Sequence, residues 1–363
     1  MSVSVRLLAS SERDAAAGVW AQLVEAGARD GVAASLDWTS TWLDHFGDVV
    51  PHRFAVAERG GEPVGAALVC GPVRRRRARV PLRTVLVGTA GEPEGEGVHV
   101  EYNRVLARPG EQRAVADALL AALRDAGGWD ELLLPGFAPA DAEPWDAAGV
   151  RWDAEPSPVC ALSEAGEDGV LGLLSPGVRR RVRQSLREYG ELETELARTG
   201  AHARDVLDEL VELHGRRWAA DGAPGAFGSP RLIGFHRDLA DRWAQSGLVR
   251  LFRARAAGET VGCLYGMVED DRLLFYQSGL RAETDNRRRP GLVAHVAFME
   301  ACRRDGLREY DFLAGESRYK RELSTGAVEL LWGTVRRPGP RQVLRAGMHA
   351  GRSLARAARP RGA

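Results

Sequence analysis

The chain has 363 residues, 44% of them hydrophobic and 28% charged, with 50 basic residues against 50 acidic ones. That length fits a folded protein of two domains or one large one, and a formal net charge of zero excludes a global pull toward nucleic acid or membrane. Cys70, Cys160, Cys263 and Cys302 show no metal-ligand spacing and read as buried thiols of a reducing cytoplasm, the start MSVSVRLLAS lacks the apolar core of a leader, and no run reaches the roughly 18 apolar residues of a membrane span.

Strands and helices alternate along the chain. Residues 12–26 and 35–46 read as helices. FAVAERGGEPVGAALV, Phe54 to Val69, reads as a hairpin turning at Gly60-Gly61, with strands near 82–88 and 98–107 after it. A helix opens at Pro109-Gly110 and runs to about Asp125, with Val115, Ala118, Leu119, Ala122 and Leu123 on one stripe. The strand DELLLPG follows. The Pro-, Ala- and acid-rich stretch 137–158, with a short helix and strand, crosses to the second half.

That half begins with a basic helix, SPGVRRRVRQSLREYG (175–190), followed by helices over 203–220 and 229–245. Next come the hairpin FRARAAGETVGCLYGMV, Phe252 to Val268, and the strand RLLFYQSGL. After a polar loop, a helix opens at Pro290-Gly291 and runs to about Arg304. The strands EYDFLAG and VELLWGTV close the domain. The arginine spacing of the tail allows a basic helix over 341–358, read as solvated or packed on the domain.

The halves resemble each other. Phe54…Gly61-Glu62-Pro63-Val64-Gly65 parallels Phe252…Gly258-Glu259-Thr260-Val261-Gly262, and Arg108-Pro109-Gly110 parallels Arg289-Pro290-Gly291. Asp130 and Asp311 each follow the glycine by twenty residues. An internal duplication accounts for this, as does the common rhythm of helix–strand units. The expected organisation is 1–156, 157–336, and a basic tail at 337–363.

The loop RAETDNRRRPGLVAH places Arg287, Arg288 and Arg289 before a glycine at a helix N-terminus. Exposed amides and the positive end of the helix dipole make such a place an anion site, and Gly291 allows close backbone approach. Arg-Pro-Gly is also an ordinary helix start. The spacing Arg288-x-x-Gly291 resembles the pyrophosphate loop of acyl-CoA-dependent GNAT N-acyltransferases, Gln/Arg-x-x-Gly-x-Gly/Ala. Val293 departs from it where a small residue is expected.

Four blocks extend the resemblance to CelD-type (BioF2-like) acetyltransferase domains of that superfamily. They are the basic helix with its Ser-x-x-x-Arg-x-x-x-Arg-x-x-x-Arg spacing, LHGRRWAADGAPGAF (213–227), RRPGLVAH, and LREYDFLAGESRYKREL. The resemblance implies an α/β fold of tandem GNAT-like domains, mixed central sheets flanked by helices, the first half being a degenerate copy. It implies acyl transfer, acetyl above all, from acyl-CoA to an amine or hydroxyl of a small molecule or saccharide, without a metal. The loop Arg287, Arg288, Arg289, Gly291, Leu292 and Val293 would hold the cofactor.

The Asp-Phe…Gly…Tyr-Lys ending also resembles Fem-type peptidyltransferases, whose donor is an aminoacyl-tRNA. That resemblance gives Lys320, beside Tyr319, the task of stabilising charge at the reacting carbonyl. A non-catalytic GNAT-like binding protein is the remaining alternative.

Lys320 is the only lysine among 49 arginines. It is either a chance survivor of arginine-rich composition or an amine whose chemistry a guanidinium cannot supply. Asp311 reads as a proton acceptor or as a cap on the following turn. Glu316 reads as a base or a solvated loop residue. His214, Arg217 and Trp218 share one helix face, His214 as a base or a hydrogen-bonded core histidine, Arg217 and Phe227 as acceptor contacts, and Trp218 as packing or an acceptor contact. GAPGAF (222–227) is either a lid or a plain connector. The runs Arg179–Arg181 and Arg74–Arg77 read as solvated faces or as polyanion contacts.

Overall fold

The computed structural model describes residues 2–77, 79–98, 101–220, 225, 227–346 and 348. The proposed lid at 222–224 and 226, and the tail residues 347 and 349–363, lie outside the described residues. The chain forms two compact units, the first from residues up to 92, 98–154 and 331 onward, the second from 93–97 and 155–330.

The first unit contains β1 (Val3–Leu8), α1 (Arg13–Glu25), α2 (Leu36–Phe46), β2 (His52–Arg59), β3 (Glu62–Arg77), β4 (Val80–Val87), β5 (Leu106–Ala107), α3 (Gln112–Ala126), β6 (Glu131–Phe137), α4 (Pro139–Ala142) and the start of β7 (Arg151–Cys160). Its sheet runs β1-β2-β3-β4-β6, with β5 on β3; β4 and β6 are parallel and the other pairs antiparallel. The hairpin turns at Gly60 and Gly61, both at positive φ, as a two-residue turn between twisted strands requires. Of the strand expected over 98–107, residues 99–100 lie outside the described residues, and among the described ones only Leu106–Ala107 is a strand. The helix expected from Pro109 opens at Gln112 instead. Gly110 takes φ +86°, and the Glu111 amide closes a turn onto Arg108 O at 2.9 Å. Val115, Ala116, Leu119, Leu120 and Leu123 are the buried stripe of α3, packed with Trp129, Phe137 and Trp145.

The second unit contains the rest of β7, then α5 (Val170–Leu173), α6 (Pro176–Tyr189), β8 (Glu193–Leu196), α7 (Gly200–Ala220), α8 (Pro230–Trp243), β9 (Val249–Ala256), β10 (Glu259–Glu269), β11 (Arg272–Leu280), α9 (Pro290–Arg304), β12 (Glu309–Asp311), α10 (Arg318–Leu323) and the start of β13 (Gly326–Arg336). The end of β13 pairs antiparallel with β6 in the first unit's sheet. The second sheet runs β7-β12-β11-β10-β9-β8, antiparallel except for β11 with β12. Phe252, Leu264 and Phe275 face Phe298 and Met299 of α9 and Val178 and Val182 of α6 in one core. On the other face α7 crosses β11 so closely that a Cβ on Gly279 would stand 2.3 Å from Leu210 O. Only glycine fits there.

Two features of this sheet shape the site. The β11/β12 ladder ends at Leu274–Asp311, while β11 continues to Leu280 along β10; the two strands therefore part. The strand expected over 309–315 also stops at Asp311. Its carboxylate accepts the Leu313 amide at 2.7 Å and the Ser157 hydroxyl at 2.6 Å, holding Leu313 at φ +59°.

Candidate functional site

Ser185 of α6 fixes the loop before α9 by accepting the Arg289 amide at 2.8 Å. Pro290 has no N–H, and the Val293 amide closes the first helical turn onto Arg289 O at 3.2 Å. The Gly291 and Leu292 amides between them have no acceptor among the described residues. Two donors at the positive end of a fifteen-residue helix thus remain open. Val293 cannot join them, because its amide is spoken for and its side chain is buried in the core. Leu292 contributes only its backbone.

The three loop arginines differ from one another. Arg287 forks onto Asp285 and reaches Glu188 at 3.2 Å, and that pairing holds the Asp285 carboxyl down at about 2. Arg288 lies over the Tyr189 ring and 4.0 Å from Glu283. The Arg289 Nε is buried without a partner. Beside Pro290 opens a cleft of about 750 Å³, lined also by Arg216, Arg217, Arg281, Glu283 and Arg288. Arg216 is paired with Glu212, and Arg281 with Glu283. Arg217 has no carboxylate partner among the described residues.

His214 is buried, and its Nδ1 donates to Ser278 O at 3.2 Å, so Nε2 is the unprotonated nitrogen. Burial, assisted by the Arg217 charge, lowers its pKa, so the ring is neutral near pH 7. Trp218 is exposed beside it. Phe227 is buried edge-on between His214 and His236, and so serves as packing under the site.

Lys320 is half-buried, and its ammonium donates to Leu313 O at 3.0 Å and Ala314 O at 2.9 Å. Together with the Asp311 cap, it fastens the turn after β12. Tyr319 is pushed up to about 12, chiefly by burial and against the Arg217 charge. Arg217 thus acts on both His214 and Tyr319, linking the α7 face to the turn after β12. Glu316 stands apart, exposed and paired with Arg321 at 3.1 Å, which is the solvated alternative.

Sequence reasoning missed two buried histidines. His295, one turn into α9, bonds the Tyr310 hydroxyl at 3.0 Å and stacks on Tyr319. Burial and the Lys320 charge push its pKa down to about 3. His236 lies between two tyrosine hydroxyls on α8. Partners 15 to 40 residues away leave no local pattern.

Residues 177–321 match the profile of a family described as acetyltransferase (GNAT) domain. Within the second unit these residues thus resemble a GNAT-type domain, and the fold is α/β, each unit a mixed sheet flanked by helices. Among solved structures, FemX is similar over 94% of this chain and 99% of its own at 13% identity and TM-score 0.55. L-PGS from Bacillus licheniformis is similar over 88% and 98% at 12% identity and TM-score 0.54. A conserved protein of unknown function from Bacteroides thetaiotaomicron is similar over 92% and 100% at 10% identity and TM-score 0.54. Comparison with curated proteins returns no match. No helix among the described residues is long and apolar enough to cross a membrane.

Proposed function

We propose that the second unit is an acyltransferase of the CelD (BioF2-like) kind, moving an acyl group, acetyl in the first instance, from acyl-CoA to an amine or hydroxyl of a small molecule or saccharide. The observation that carries this is the open pair of amides at Gly291 and Leu292 beside a cationic cleft, in a domain matching the GNAT profile. A diphosphate would rest on those amides. The acyl arm would then enter where β11 and β12 part. His214 is placed to take the acceptor's proton. Asp311 and Lys320 act as positioning residues that hold the turn after β12, and the Lys320 charge favours an oxyanion formed there.

The first unit is proposed as the degenerate copy. Its helix α3 begins with Glu111 at the N-cap, paired with Arg59 at 2.6 Å, so a carboxylate occupies the place of an anion. Four buried free cysteines fit a cytoplasmic protein.

One observation favours an aminoacyl-tRNA donor as the second reading. Arg180, Arg183 and Arg187 are exposed along α6, spaced to share a face, and have no carboxylate partner among the described residues. The test is free-thiol release from acetyl-CoA in the presence of amine and hydroxyl acceptors, run beside aminoacyl-tRNA consumption. Thiol release supports the first reading; aminoacyl transfer with no thiol release replaces it by the second.

A further inference from the structure

The net charge of zero conceals two stretches that hold arginine and no acid. Residues 71–83 carry six arginines and residues 331–363 carry eight. The first unit brings both stretches to one end of its sheet. Arg74 and Arg76 of β3 stand in register with Arg83 and Pro81 of β4. Thr84, next to Arg83, pairs with Glu131 of β6, and Glu131 pairs in turn with Arg336 of β13. The chain then turns into residues 340–346, which are helical.

The acids at this end are already engaged. Asp130 pairs with both Arg83 and Arg341, buried Glu131 with Arg77, and Asp153 with Arg151. Arg74, Arg76 and Arg79 are exposed and have no carboxylate partner among the described residues. Arg345 donates to the Gln342 side-chain oxygen at 2.8 Å. Partial burial, and after it the charges of Arg345 and Arg151, lower the Arg336 pKa, as neighbouring cations do. The helical residues have two edges. Arg341 and Gln342 fasten one edge to the Asp130 carboxylate and carbonyl, at 3.1 and 2.9 Å, and Arg345 lies one turn further along that edge. Val343 and Leu344 fall on the opposite edge, 72% and 57% exposed, the two most exposed large hydrophobic side chains among the described residues.

We propose that this end of the first unit docks on an anionic lipid surface, with Val343 and Leu344 entering the headgroup boundary and Arg74, Arg76 and Arg79 facing lipid phosphates. Aliphatic side chains set between arginines are the composition of a helix that lies in a membrane interface. A negatively charged leaflet attracts each arginine held near it, and the fixed pairs on Asp130 keep the helical residues at the arginine-rich sheet end. A polynucleotide would use the charge alone. Bases stack on aromatic rings, and no aromatic ring is among the exposed large hydrophobic side chains described in this unit. The surface draws on no residue of the second unit and holds for any reaction there.

The experiment is co-sedimentation of the full chain with vesicles, run beside a titration with the homopolymer poly(U). At low salt the wild type is expected to bind vesicles of equal parts phosphatidylcholine and phosphatidylserine at least about tenfold more tightly than vesicles of phosphatidylcholine alone, and to lose that preference at about 1 M salt. The double variant Val343→Ser with Leu344→Ser, altered only at exposed positions, is expected to keep the wild-type melting temperature and to bind the anionic vesicles about tenfold more weakly. Arg74→Gln with Arg76→Gln is expected to weaken binding by a similar factor. Equal binding to both kinds of vesicle, no binding to either, or a double variant that binds as the wild type does overturns the proposal. Tighter binding to poly(U) than to the anionic vesicles, undiminished in Val343→Ser with Leu344→Ser, overturns it in favour of a polynucleotide surface.

Discussion

The ring of His295 stacks on that of Tyr319 with centroids 5.2 Å apart and planes 25° apart, joining α9 to α10. The contact places a fully buried imidazole within reach of the Lys320 charge. Folding therefore requires a neutral His295.

The pH dependence of stability follows. The folded pKa of about 3 lies below the ordinary 6.5, so the unfolded chain takes up the proton first as pH falls. The stability contributed by neutral His295 is fully present above pH 6.5 and is lost as pH drops toward 3, at about 1.4 kcal/mol per pH unit. Urea unfolding at pH 7 and pH 5 is expected to show the wild type losing about 2 kcal/mol more than His295→Phe. Equal losses would mean that His295 titrates normally.

Lys320 permits a separation of charge from shape. Lys320→Met leaves Leu313 O and Ala314 O without their donor and is expected to cost about 1–3 kcal/mol. Lys320→Arg keeps the charge, but a planar fork cannot reproduce a compact ammonium against two adjacent carbonyls. It is expected to stay folded by circular dichroism and to lose thiol-release turnover by at least about tenfold. Full activity in Lys320→Arg would make the lone lysine a compositional accident.

The Asp311 cap is testable on its own. Asp311→Ala removes the acceptor for both Leu313 N–H and Ser157 O–H in a fully buried site. The expected loss is about 2–4 kcal/mol in thermal or urea unfolding, with the turn after β12 exchanging its amides faster. A variant as stable as the wild type would show that Leu313 holds its left-handed backbone unaided.

Much of the architecture was legible where packing obeys local period. Val115, Leu119 and Leu123 of the α3 stripe, the hairpin at Gly60-Gly61, and the helix starting at Pro290 follow from residue types a few positions apart, whereas α3 buries Ala116 and Leu120 in place of the expected Ala118 and Ala122. The failures were non-local. β8 carries the polar sequence ETEL, and its place at the sheet edge depends on Arg253 of β9, which also holds Asp205 and Glu209 of α7 at 2.9 Å. EYDFLAG reads as one strand because nothing local announces the Asp311 cap. The loop arginines were legible as a cluster, but their carboxylate partners Glu188, Glu283 and Asp285 were not. The His236 pairs span 29 and 40 residues and leave no mark on either helix or strand period.

The exposed arginines of α6 separate the two donors. In a triple variant with Arg180, Arg183 and Arg187 each changed to Glu, acetyl-CoA affinity is expected to change by less than about threefold, because the phosphates rest on backbone amides. Loss of all activity together with steep salt dependence in the wild type would favour a polynucleotide carrier.

The most direct measurement is calorimetric titration of acetyl-CoA into the wild type and Gly291→Asp. The new Cβ would meet only the Leu280 side chain, at 3.2 Å, and a carboxylate in the first turn favours the helix while opposing a phosphate. The expected result is sub-millimolar binding by the wild type and at least about tenfold weaker binding by a variant of equal or higher melting temperature. Equal binding by both proteins, or none by the wild type at millimolar acetyl-CoA, would contradict a diphosphate site at the start of α9.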